Sequence, residues 1–81
     1  MKALHLVVVR KLCILMEKQS LSQYELARRS GLPIGTVKSV LQKRSKSITL
    51  KTIILLAHGL GLTISEFLDD PSFLVENLDL D

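Results

Sequence analysis

The 81-residue chain has one cysteine, two prolines, four glycines, no tryptophan and only three other aromatic residues. A single cysteine makes no internal disulfide, so the fold must stand on an apolar core, and a reducing compartment suits it. Scarce proline and glycine beside 47% hydrophobic residues exclude a disordered tail, a collagen-like repeat and a low-complexity linker. No apolar run exceeds five residues (Leu12 to Met16, equalled by Ile53 to Ala57), against roughly 20 for a membrane span. The opening Met1-Lys2-Ala3-Leu4-His5, four apolar residues and Arg10-Lys11 are too short for a secretory segment and offer no small-residue cleavage site. The expected location is the cytoplasm. A chain of this length is expected to make one domain with one small core, burying about 60% of its unfolded surface.

Acid is also scarce, but unevenly. Residues 1–68 hold all eleven Lys and Arg and only three acids, Glu17, Glu25 and Glu66, a net +8. Residues 69–81 hold five acids and no base, a net −5. This divides the chain into a basic body, 1–68, and an acidic but partly apolar tail, 69–81. Clustered cations gain affinity for a polyanion by releasing its counterions, although a basic surface also simply keeps a protein soluble.

What is present is helical period broken at short intervals. Turn signals fall at Gln19–Ser22, Gly31–Pro33, Ser45–Thr49, Gly61–Thr63 and Asp69–Pro71. A first helix is predicted over about 3–18, with Leu4, Val8, Leu12, Leu15 and Met16 on one face. Val7 and Ile14 lie off that face, a strip that either packs against the tail or contacts a second copy. Cys13 reads as a small core residue. Ser22 and Glu25 form a capping box for a second helix, which Gly31 ends. Pro33 suits the first position of a third helix running to about Lys43. Thr49 caps a fourth helix that stops at Gly61, and Thr63 to Glu66 is a second capping box opening a short fifth. Five helices with no strand signal give an all-α fold.

Residues 23–42 act as one unit. Ala27 sits where two helices approach closely, Gly31 makes the sharp turn, and Leu32 plugs the corner. Val37 and Val40 turn inward to meet Leu26 and Ala27. A three-residue, glycine-containing connection between two short helices is a helix-turn-helix layout. The stretch Leu21-Ser-Gln-Tyr-Glu-Leu-Ala-Arg-Arg-Ser-Gly-Leu-Pro-Ile-Gly-Thr-Val resembles the helix-turn-helix of phage Cro and lambda-type repressors, the XRE family. Ile53-Ile-Leu-Leu-Ala-His-Gly-Leu-Gly-Leu-Thr-Ile-Ser-Glu-Phe-Leu resembles that family's fourth and fifth helices. The likeness covers about residues 8–68. It departs at Lys43, where the family often has Gly, and at Ser47-Ile48, where Asn-Pro is common. The resemblance implies a compact five-helix lambda-repressor-like domain from a bacterial or phage transcription regulator, commonly a homodimer.

On the third helix, Gly35, Lys38, Ser39 and Gln42 fall opposite Val37, Val40 and Leu41. A polar face is solvated by default, but an α-helix also fits the major groove, where Lys meets guanine acceptors and Gln pairs with adenine. Gly35 lets backbone come close to a surface. Ile34 either touches a thymine methyl or is partly buried in the turn. These five are the base-reading candidates. Gln23 opens the second helix, whose free N–H groups attract phosphate. The resemblance implies that Gln23 holds the DNA backbone and braces the reading helix. Tyr24, Lys43, Arg44 and Lys46 complete the phosphate candidates, positioning rather than specifying; Arg28 and Arg29 flank the second helix.

His5, Cys13 and His58 lack metal-ligand spacing, no Gly-rich phosphate loop exists, and no serine is tied to a base. No metal, cofactor, membrane contact or enzymatic activity is therefore expected. The reading is a sequence-specific double-stranded DNA-binding transcriptional regulator, a repressor, dimeric on a near-palindromic operator. The alternative is a small helical protein-interaction module using the Val7/Ile14 strip and the tail.

Overall fold

In the computed structural model the described residues are 2–42 and 47–80. Five helices follow one another: α1 (Leu4–Lys18), α2 (Gln23–Ser30), α3 (Ile34–Leu41), α4 (Leu50–Gly59) and α5 (Ile64–Leu68). Their ends carry the expected cap chemistry. The Ser22 and Thr49 hydroxyls accept the N–H groups of Glu25 and Thr52, each three residues on. At α5 both halves of the Thr63–Glu66 capping box form. Gly31 and Gly61 take the left-handed conformation that closes α2 and follows α4, with φ of 72° and 79°.

Three local details differ from the expectations. Pro33 is the residue before α3, not its first, and Gln42 already lies beyond the last helical residue. At α2 only half the capping box is made, because the Glu25 carboxylate bonds Arg28 and Arg29 instead of the cap N–H. Cys13 is exposed rather than part of the core.

The core joins Val8, Val9, Leu12 and Met16 of α1 to Leu26 and Ala27 of α2, Val37 and Val40 of α3, Leu56 and Ala57 of α4, and Phe67 of α5. Leu4 of the predicted inner face is exposed, while Val7 and Val9 are buried. Ala27 is buried in this core, and a close helix approach occurs at Gly59. A Cβ there would overlap the Ser30 hydroxyl and stand 3.1 Å from the Leu26 Cδ1.

Residues 69–80 lie on the body. Single 3-10 turns at Pro71–Phe73 and Val75–Asn77 lead to a strand, β2 (Leu78–Asp79), which pairs in parallel with β1 (Lys2–Ala3). No strand was expected, and this ladder joins positions 76 residues apart, Lys2 with Leu78. Leu78 is buried, Phe73 packs on Phe67 with ring centres 6.1 Å apart, and Asp70 pairs with Lys11 of α1 at 3.0 Å. The Asp70 carboxylate also accepts the Ser72 N–H. That backbone bond first, and Lys11 second, hold its pKa down to about 2.

Candidate nucleic-acid interface

Burial fixes the orientation of α3. Val37 is 0% and Val40 4% exposed, and Leu41 packs against the same cluster, so this side faces α1 and α2. Helical geometry then turns Gly35, Lys38, Ser39 and Gln42 outward. Gly35 and Gln42 are exposed, and Lys38 and Ser39 half-buried. Ile34 is half-buried and packs on the core, as partial burial in the turn required.

Gly35 has a negative φ and, among the described residues, no heavy atom within 4 Å of where a Cβ would stand. Neither the backbone conformation nor a neighbour among the described residues calls for glycine here. An exposed helical glycine costs about 0.5–1 kcal/mol relative to alanine. The empty Cβ position lies on the outward face.

On α2, Gln23 is half-buried at the first helical position and Tyr24 exposed at the second. The Ser22 side chain takes the Glu25 N–H and the Ser22 carbonyl the Leu26 N–H. This leaves the N–H groups of the first turn directed outward, the arrangement that receives anions. Glu25 accepts hydrogen bonds from Arg28 and Arg29. Arg28 first and Arg29 second hold its carboxyl down at about pKa 2, and Glu25 in turn raises the Arg28 pKa. The two arginines, open candidates from the sequence, share this one carboxylate, so the cluster keeps one net positive charge.

Lys38 is the cation of α3. Its ammonium donates to the Tyr24 hydroxyl at 3.2 Å and stands 5.1 Å from the ring centre. Lys43, Arg44 and Lys46 lie outside the described residues.

The helix-turn-helix family profile matches residues 14–67, two thirds of the chain. The chain belongs to this family. It is an XRE-type helix-turn-helix DNA-binding regulator. No curated protein and no solved structure gave a match. The family is one of DNA-binding regulatory domains rather than of enzymes. Among the described residues no helix is long and apolar enough to cross a membrane, and no His/Cys/Asp/Glu group could hold a metal ion.

In helix-turn-helix terms, α2 is the supporting helix and α3 the exposed second helix. One feature beside α3 escaped the sequence reading. A groove of about 360 Å³ runs from Gly35, Thr36 and Ser39 to Thr49 and Thr52 at the start of α4. It places hydroxyls next to the candidate base-reading side chains. Polar residues three apart, at 36 and 39 and at 49 and 52, are visible in the sequence, but their convergence depends on how α3 meets α4. The larger cleft, about 490 Å³, lies between α1 and the tail and shares no residue with α3.

Proposed function

We propose that the protein is a sequence-specific transcriptional repressor of bacterial or phage type, acting in the cytoplasm on double-stranded DNA. In this reading α3 lies in the major groove. Lys38, Ser39 and Gln42 meet base edges, Gly35 lets the helix backbone approach, and Ile34 supports the helix start with its exposed edge toward a thymine methyl. Gln23, Tyr24 and the 43–46 loop grip phosphates. The observation that carries this is α3 itself: one side locked in the core, the other polar, and a glycine on the outward side that nothing among the described residues demands.

One short helix spans too few base pairs to single out a site. Two copies reading half-sites about one helical turn, ~34 Å, apart solve this. The protein therefore binds a near-palindromic operator as a homodimer. The α5 region, where Leu68 is exposed, is the contact this reading favours. The Val7/Ile14 strip is not a continuous surface, since Val7 is buried and only Ile14 is exposed. The same burial weakens the protein-interaction alternative.

The test is equilibrium binding to bulk duplex DNA across salt, followed by sedimentation of the complex. Affinity falling steeply with salt and two chains per operator are expected. Salt-independent binding, or one chain per operator, overturns the corresponding part.

A further inference from the structure

Lysine is a flexible reader. Its four-carbon stem must be ordered before its ammonium selects one acceptor over another. On α3, however, Lys38 is half-buried although it belongs to the outward face. Its ammonium meets Tyr24, whose ring lies beside it and whose hydroxyl accepts its hydrogen bond. Tyr24 belongs to α2, and the position of α2 against α3 is set by Leu26 and Ala27 meeting Val37 and Val40. The backbone that carries the ring is thus fixed relative to α3, although the ring itself is exposed.

The partner's chemistry matters as much as its place. An aromatic face and a neutral hydroxyl attract a cation without cancelling its charge. A carboxylate would cancel it. One stands next to Tyr24 in sequence, Glu25, but it is occupied by Arg28 and Arg29. Lys38 is therefore paired with a neutral partner rather than with a carboxylate.

We propose that Tyr24 is a positioning residue for Lys38. It presets the ammonium over α3 and so sharpens the choice made at one base pair, rather than serving chiefly as a phosphate contact. This rests on the reading of α3 as the base-reading helix.

Relative affinities for the four possible base pairs at each operator position, measured for wild type, Lys38→Ala, Tyr24→Ala, Tyr24→Phe and the double alanine variant, test it. Lys38→Ala should abolish the preference at one position. Tyr24→Ala should weaken that same preference about two- to fivefold, the size of an exposed cation–π contact, and leave other positions alone. Tyr24→Phe, which keeps the ring, should retain most of it, and the double variant should match Lys38→Ala. If Tyr24→Ala instead weakens all sequences alike and lowers the salt slope by about one, Tyr24 is a phosphate contact and the proposal is overturned while base reading by Lys38 stands. If Lys38→Ala changes no preference, base reading by Lys38 fails and the proposal falls with it. The contact has a readout without DNA. The Lys38 methylene protons next to nitrogen should show a ring-current upfield shift in wild type and Tyr24→Phe that disappears in Tyr24→Ala. Its absence in wild type overturns the proposal.

Discussion

Gly35→Ala separates stability from DNA binding in a single methyl group. The added Cβ meets nothing within 4 Å among the described residues, and the native φ is one alanine adopts freely. No overpacking cost therefore enters. What remains is the conformational entropy that glycine loses on folding, about 0.5–1 kcal/mol relative to alanine in a helix. For a domain of this size that raises Tm by roughly 2–8 °C. On DNA the same methyl group occupies the space through which the α3 backbone approaches the bases. Close-packed surfaces tolerate an extra methyl poorly, at about 1–3 kcal/mol, so operator affinity should fall by about five- to 150-fold. Thermal melting of the free protein and titration of operator duplex at fixed salt give the two numbers. A variant that melts higher and binds DNA as wild type does would show that α3 does not approach DNA along Gly35. A variant that melts lower would show that the space around Gly35 is misassigned.

Lys38→Ala or Gln42→Ala should each cost about 1–3 kcal/mol at the operator with little change in melting, while Lys43→Ala or Arg44→Ala should weaken all DNA alike and flatten the salt slope by about one unit each. Unchanged sequence preference in the first pair would remove those side chains from the reading face. Deleting residues 72–81 removes the buried Leu78, the Phe73–Phe67 contact and the β1–β2 ladder. Stability should fall by about 2–4 kcal/mol, and loss of Glu76, Asp79 and Asp81 should raise affinity for random DNA at low salt. Equal melting and equal binding would leave the tail without a role. Asp70 has a folded pKa of about 2 against an ordinary 3.8, so its contribution is complete above about pH 4 and is lost as pH falls toward 2. Asp70→Asn should therefore lower stability at pH 6 and converge with wild type near pH 2; a constant difference across that range would contradict the Lys11–Asp70–Ser72 arrangement.

The parts of the fold that were legible are those with local causes. A cap hydroxyl acts on an N–H three residues away, and a left-handed glycine acts on the turn it closes. Ser22, Gly31, Thr49, Gly61 and Thr63 accordingly mark the helix ends in the structure. The inward side of α3 was legible for the same reason, since helical period alone sets Val37 and Val40 against the outward residues.

Non-local features were not legible. A two-residue ladder is too short to show alternation, and its partners lie at opposite ends of the chain. Helical period set Ile14 off the inner face, but Leu12 to Met16 is apolar throughout, so it could not tell that Cys13 faces out. Glu25 had competing partners, and two arginines at three and four residues outbid the cap N–H for its carboxylate. Gly59 and the Tyr24–Lys38 contact depend on the register at which helices cross, which sequence spacing does not contain.

The central claim is that α3 reads base sequence in duplex DNA. Selection of bound fragments from a random duplex pool, run in parallel on wild type and Lys38→Ala, tests it most directly. Wild type should enrich one motif with inverted half-sites about one helical turn apart, and Lys38→Ala should lose or change the preference at symmetric positions of that motif. A pool that stays random with wild type, or an enriched motif identical for both proteins, would contradict the account.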